Sequence, residues 1–250
     1  DDLSRVAGLV PDEEILVSEY MPGPAVNIHG VVCGPAVVLG WPSVMITGNG
    51  MCSLPNHDFA FCGNDYSASR HLSTSLYNEL LHLAESVGEV LANEGFAGIF
   101  GLDVILHRSR WYVLEVNCRF QGSTPLLTSL EAATSRQPIV YDHITVFADA
   151  LWTRGKRGPC TRPVPVSGAQ IILYQRTTKP VVMPVGTHGQ LEPISGWFLQ
   201  GAPVPGTTVE PGAILGRLVS HYPALDETLT SLTGSSVAAI DAAYSLFMPK

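Results

Sequence analysis

Gly98-Ile-Phe-Gly-Leu-Asp-Val-Ile105 and, after a short turn, Trp111-Tyr-Val-Leu-Glu-Val-Asn-Cys-Arg119 decide how this chain is read. Both are near-continuous apolar runs broken by single polar residues, and His107-Arg-Ser-Arg110 joins them as a hairpin connection. Side chains alternate along a strand, so Glu115, Asn117 and Arg119 share one face. Antiparallel pairing with the preceding strand sets Asp103 beside Glu115. Two carboxylates and an amide oxygen on one face make an oxygen-only site of the kind Mg²⁺ prefers, with substrate phosphates completing the coordination. Arg119 stands at the edge of this group, where a fixed cation steadies phosphoryl charge. Spacing alone leaves a plainer alternative open: the same residues also fit the solvated face of a strand.

Upstream, Leu72 to Asn93 carries Leu76, Leu80, Leu83, Val87 and Leu91 at three- and four-residue steps, which predicts an amphipathic helix stopped at Gly95. Ile15-Leu-Val-Ser-Glu-Tyr-Met21 reads as a strand ending in the turn Pro22-Gly23-Pro24. Val26–Val32 and Ala36–Leu39 read as strands joined by a Gly34-Pro35 turn, and Leu3–Leu9 as a short helix. Gly48 to Ser69, rich in Gly, Asn and Ser, reads as one long loop. Its His57, Asp58 and Asp65, with His71 beyond it, read as exposed polar residues. Downstream, Leu126–Ala133 and Ile139–Leu151 read as helices. Composition then shifts at Trp152 to a linker-like Arg154–Pro163 and a Pro- and Gly-rich remainder. Strands are expected there at Gln170–Tyr174, Pro180–Pro184 and Ile214–Val219, with a final helix at Ser235–Phe247. The division falls near residue 155, giving units 1–154 and 155–250.

The 250 residues are 46% hydrophobic and only 14% charged, the reverse of a disordered chain. The net charge of −8, without a Lys or Arg run, excludes a phosphate-tracking nucleic-acid surface. Gly, Pro or a polar residue interrupts every apolar stretch before the ~18 residues of a membrane span. The opening Asp-Asp-Leu-Ser lacks the basic and apolar regions of a signal peptide. The five cysteines are scattered, with no CxxC pair to suggest zinc or a disulfide framework; Cys118, alternating to the face opposite Glu115, reads as a buried thiol. A cytoplasmic location is expected.

The segment Gly98–Ser123, with its Glu-Val-Asn-Cys-Arg core, resembles the C-terminal half of the ATP-grasp fold. That superfamily includes carboxylate–amine ligases, biotin carboxylase and carbamoyl phosphate synthetase. Leu16-Val-Ser-Glu-Tyr-Met-Pro-Gly23 is similar to its adenine hinge, and the Leu72–Asn93 helix falls where the family has one. The resemblance covers roughly residues 12–150. It implies an α+β fold: an ATP-grasp C-terminal lobe, an antiparallel sheet with packed helices, followed by a smaller β-rich domain. It implies ATP with Mg²⁺, or Mn²⁺ in its place, held by Asp103, Glu115 and Asn117, with Glu115 bridging two ions. Arg119 would face the reacting phosphoryl or acyl group. The Phe-Gln-Gly-Ser-Thr stretch after it reads either as a plain turn or as a source of backbone N–H donors, at Gly122 or Ser123, for the acyl oxygen. Backbone groups of the Glu19-Tyr20-Met21 hinge would bond the adenine edge, above an apolar floor of Ile105 and Leu114. The implied activity is transfer of the γ-phosphoryl group of ATP to a small carboxylic acid or amino acid, giving an acyl phosphate that an amine attacks. Homodimers are common among relatives; neither nucleic acid nor membrane is an expected partner.

Three departures from the family pattern matter. Ala25 stands where many members place a ribose-binding Glu. Ser123 stands where biotin carboxylases carry an acidic residue for bicarbonate chemistry, which favours amide or peptide formation over a carboxylase- or carbamoyl-phosphate-like reaction. The chain begins about 14 residues before the hinge strand and has no lysine before Lys156, so an N-terminal ATP-grasp segment with its phosphate-contacting lysine is expected as a partner. These departures also keep a nucleotide-binding module without turnover in view.

Overall fold

The computed structural model describes residues 14, 17–53, 57–148, 167–184 and 196–247. The apolar hairpin is present as two long strands, β5 (Gly98–His107) and β6 (Arg110–Asn117), with Asp103 directly opposite Glu115. Between Asp103 and Val104 the register slips, so that Leu114 is an extra residue on β6, a bulge that breaks the strict alternation of the strand. On its other edge β5 pairs with β1 (Ala25–Cys33), whose further edge takes β2 (Ala36–Leu39) and β3 (Ser43–Thr47) in succession. β4 (Phe61–Asp65) follows β3, and then β7 (Ala169–Tyr174), β11 (Ile214–Ser220) and β9 (Trp197–Gln200) continue the same sheet. The nine strands are antiparallel throughout. Only β8 (Val181–Val182) and β10 (Thr208–Val209) stand apart, as a two-stranded pair. Among the described residues, the strands β7, β11 and β9 extend the first sheet, joining it through the β4–β7 pairing.

Period-two alternation sorts this sheet into two faces. Val26, Ile28 and Val32 of β1, Phe100, Leu102 and Val104 of β5, and Ile171 and Leu173 of β7 enter one core cluster. Helix α1 (Thr74–Asn93) covers that face with Tyr77, Leu80 and Ala84. The Ser73 hydroxyl accepts the Leu76 N–H at its start, and Gly95, at φ +82°, closes its end. The C-terminal helix α4 (Gly234–Phe247) adds Ile240, Tyr244 and Phe247 to the same core. The opposite face carries Val31 and Ile99, packed under α2 (Thr124–Ala133) and α3 (Ile139–Phe147) through Leu127, Leu130 and Ile139. Those two helices cover only part of that face. Asn27, Asp103 and Ile172 lie on the remainder and line a cleft.

Several expectations are corrected. The long loop at Gly48–Ser69 contains β4, a central strand, and Asp65 within it is fully buried. Asp65 Oδ1 accepts the Ala68 N–H at 3.1 Å, and Oδ2 accepts those of Ala224 and Leu225 at 2.7 and 2.8 Å. A Cβ on Gly63 would stand 2.0 Å from the Gln170 carbonyl oxygen, so glycine is what lets β4 approach β7. Val17–Met21 form no strand and run as irregular chain before β1; Ile15 and Leu16 lie outside the described residues. Cys118 is exposed, because β6 is an edge strand that ends at Asn117. β3, β9 and β10 have no counterpart in the sequence reading. The helix expected at Ile139–Leu151 ends at Phe147, with Ala148 already extended. The Leu3–Leu9 helix and the linker with the division near 155 lie outside the described residues.

Candidate functional site

The face of β1 opposite Val26 and Ile28 carries two buried polar residues, Asn27 and His29. Asn27 pairs with Asp103 across the β1–β5 ladder, and Asp103 pairs with Glu115 across β5–β6. Three adjacent strands therefore bring an amide and two carboxylates into one row. Asn27 Nδ2 donates a short hydrogen bond to Asp103 Oδ1 and a second, of 2.8 Å, to Gln121 Oε1. Gln121 Nε2 also reaches Asp103 Oδ1, at 3.4 Å. Asn117 Nδ2 spans the carboxylates, 2.8 Å from Glu115 Oε1 and 3.3 Å from Asp103 Oδ2. Its Oδ1 accepts from Arg119 Nη2 at 3.0 Å, and Arg119 Nη1 donates to the Phe120 carbonyl at 3.2 Å.

Neutral amide donors thus face a pair of negative charges. Among the described residues neither Asp103 nor Glu115 enters an ion pair. Asp103 is 7% exposed; burial pushes its carboxyl above the ordinary carboxylate range, and the neighbouring Glu115 adds to the rise. A buried carboxylate kept beside a second one without a cation is costly, and such arrangements concentrate at functional sites. Among the described residues no three of His, Cys, Asp and Glu gather to hold a metal. Two carboxylates and an amide still fit a hard cation that takes its other oxygens from phosphates and water.

Chain after β6 closes the cleft. Ser123, which precedes α2, is buried, and its Oγ lies 3.4 Å from Asn27 Oδ1. Gln170 Nε2 donates to the Gly122 carbonyl at 2.9 Å, tying this turn to β7. Among the described residues the backbone N–H groups of Gly122 and Ser123 have no hydrogen-bond acceptor, and they lie at the N-terminal, partially positive end of α2. Asp103, Glu115, Asn117, Arg119, Gly122 and Ser123 all line this cleft, of about 370 Å³, whose opposite wall carries Ile172, Tyr174 and Arg217.

The structure does not bring the hinge group into the same cleft: Glu19, Tyr20, Met21, Ile105 and Leu114 are absent from its lining. Tyr20 is exposed and meets Phe59 edge-on at 6.1 Å. The hinge segment does run against the end of β5: His107 Nδ1 lies 2.7 Å from the Pro22 carbonyl, and Ile105 pairs with Ala25. Asn27, Gln121 and Arg217 escaped the sequence reading. Asn27, polar like His29 within an otherwise apolar strand, carries a legible signal; the other two depend on tertiary placement.

Residues 5–123 match the family model of an ATP-grasp domain. The match covers just under half of the chain and makes that stretch similar to ATP-grasp domains. Solved structures share the fold of this chain at low identity. The biotin carboxylase domain of a single-chain bacterial carboxylase aligns at TM-score 0.58 and 14% identity, over 88% of this chain and 47% of that one. The L-amino acid ligase from Bacillus licheniformis aligns at 0.52 and 16%, over 80% and 47%. The biotin carboxylase domain dimer of Hydrogenobacter thermophilus 2-oxoglutarate carboxylase, solved with MgADP, ADP and bicarbonate, aligns at 0.53 and 12%, over 82% and 43%. The chain spans less than half the length of each of these three. A search of curated protein sequences finds no match. No helix among the described residues is long and apolar enough to cross a membrane.

Proposed function

We propose that this chain is the phosphoryl-transfer half of an ATP-dependent carboxylate–amine ligase. The observation that carries the reading is the Asp103–Glu115 pair, two adjacent carboxylates without an ion pair among the described residues, set in one cleft with Arg119 and the backbone N–H groups of Gly122 and Ser123. Asp103, Glu115 and Asn117 would hold Mg²⁺, which supplies the positive charge that ATP phosphates need during transfer. An oxygen of the acid attacks the γ-phosphorus, ADP leaves, and an acyl phosphate forms. The amine then attacks the acyl carbon, phosphate departs and the amine gives up a proton. Arg119 neutralises charge on the transferring group, and the Gly122 and Ser123 N–H groups receive the acyl oxygen as it becomes anionic. The Glu19–Met21 hinge would receive adenine through backbone groups, beside Ile105 and Leu114. A preceding ATP-grasp segment would complete the phosphate site.

A second reading, carboxylation, is favoured by the two biotin carboxylase neighbours. Ser123, where the resemblance to biotin carboxylases calls for an acid, weighs against it. One experiment separates the readings: ADP release by the full-length protein with acid and amine supplied singly, together, or replaced by bicarbonate. The ligase requires release only with acid and amine together. Release with bicarbonate alone overturns it, and nucleotide binding without release under any condition makes the protein a binding module.

A further inference from the structure

A second cavity, of about 480 Å³, opens from the first along the same sheet face. Leu126 and Leu130 of α2, Phe198 of β9 and Val219 of β11 form its apolar side, and Gln170, Gln200 and His221 are among the polar residues that line the rest. Gly122 and Arg217 line both cavities, so they stand where the two meet. Phe198 is 44% exposed on an edge strand, an aromatic surface that the fold itself does not cover. Among the described residues no Asp or Glu lines this cavity and Arg217 has no ion pair. The guanidinium's planar fork suits a carboxylate.

We infer that this cavity binds the amine substrate and that the substrate is an apolar α-amino acid, its carboxylate on Arg217 and its side chain between α2 and β9. The inference rests on the ligase reading and deepens it. The acid to be activated must place its carboxylate at Arg119 and Gly122, in the first cleft. A carboxylate site at Arg217 therefore serves a substrate whose carboxylate is not activated, which is the acceptor. With the carboxylate on Arg217, the amino group faces the shared wall at Gly122, beside the acyl carbon it attacks. The nitrogen–carbon bond forms there as the carbon–oxygen bond to phosphate breaks, and the amine proton leaves to water. A cavity of this size and apolar character far exceeds what bicarbonate needs.

The test is calorimetric titration of the full-length protein, with and without saturating MgADP, by L-leucine and L-phenylalanine and by their decarboxylated counterparts 3-methylbutylamine and phenethylamine. The amino acids bind, and the amines bind about tenfold to a hundredfold more weakly, the loss expected for one charge-assisted pair. Arg217→Gln weakens the amino acids by a similar factor and leaves the amines unchanged. Ala133→Trp, at an exposed position on the cavity wall, blocks both amino acids. Equal affinity of acids and amines, an equal effect of Arg217→Gln on both, or no binding of either amino acid overturns the inference. MgATP titrated on the same preparation separates the two ideas: its failure to bind removes the ligase reading, whereas MgATP binding without an Arg217-dependent amino acid removes only the acceptor site.

Discussion

Asp103→Asn should make the metal-free protein more stable at neutral pH while abolishing its metal-dependent function. The single Asn117 amide nitrogen that bonds both carboxylates puts their bonded oxygens no more than about 6 Å apart. At that distance two unit charges repel by about 0.7 kcal/mol in water and about 2.8 kcal/mol at the effective dielectric constant of ~20 found near protein surfaces. Asp103 is buried but Glu115 is exposed, so screening pulls the value toward the lower limit, and about 1 kcal/mol is expected. The asparagine oxygen still accepts from Asn27 and Gln121. Only the 3.3 Å hydrogen bond from Asn117 is broken, and Asn117 keeps its bond to Glu115. A gain of about 1 kcal/mol raises the melting temperature of a chain of this size by about 2–4 °C.

The pH dependence fixes the origin of that gain. The Asp103 carboxyl titrates higher when folded than when unfolded, so the folded state binds more protons in that window. The native protein therefore loses stability as pH rises from about 4, the ordinary carboxylate value, through the raised one. Thermal unfolding followed by circular dichroism in EDTA at pH 7.5 and at pH 4 reads this directly. The variant should melt higher at pH 7.5, and the difference should shrink as Asp103 becomes protonated in the wild type. A variant less stable at pH 7.5, or a shift of equal size at both pH values, refutes the charge-repulsion argument.

Asp65→Ala strips three buried backbone N–H groups of their acceptor and should cost about 3 kcal/mol or more, read as a lower urea midpoint. Gly101→Ala tests the reach of Gln121: the new Cβ would lie 1.8 Å from its Oε1, so the side chain must swing off Asp103. Because a flexible side chain yields cheaply, stability should move by less than about 1 kcal/mol while MgATP affinity falls about tenfold. Tyr20→Ala, at a 70% exposed position where recognition runs through the backbone, should change MgATP affinity by less than about threefold in the same titration.

What was legible in the sequence was local. Asp103 meets Glu115 because two alternating apolar strands joined by four residues can pair in few ways, and the α1 stripe at Leu76, Leu80 and Leu83 needs only helical periodicity. The Leu114 bulge was not legible, since an extra residue leaves no mark on composition. β4 was hidden for a physical reason: Phe-Cys-Gly-Asn-Asp has poor strand propensity, and each unfavourable residue is there for a tertiary contact. Gly63 admits the β7 backbone, Asn64 donates to the Ser43 hydroxyl at 2.9 Å, and Asp65 anchors residues 224 and 225. The acidic half of the candidate site could be read because it lies on one hairpin. Gln121 reaches it from a turn beyond that hairpin and Arg217 from a strand about a hundred residues later, so only the folded sheet brings them in. Cys118 shows the limit of alternation, which stops where the edge strand does.

The central claim is that Asp103, Glu115 and Asn117 form a cation site for ATP phosphates, and MgATP titration of the full-length protein and its Glu115→Gln variant tests it most directly. Glu115 is exposed, so the substitution leaves the fold intact and removes one charge from the pair. The account predicts that the wild type binds ATP more tightly with Mg²⁺ than in EDTA, and that the variant loses this metal-dependent increment. Equal metal dependence in both proteins, or none in either, would reduce Glu115 to a surface carboxylate on an edge strand and contradict the account.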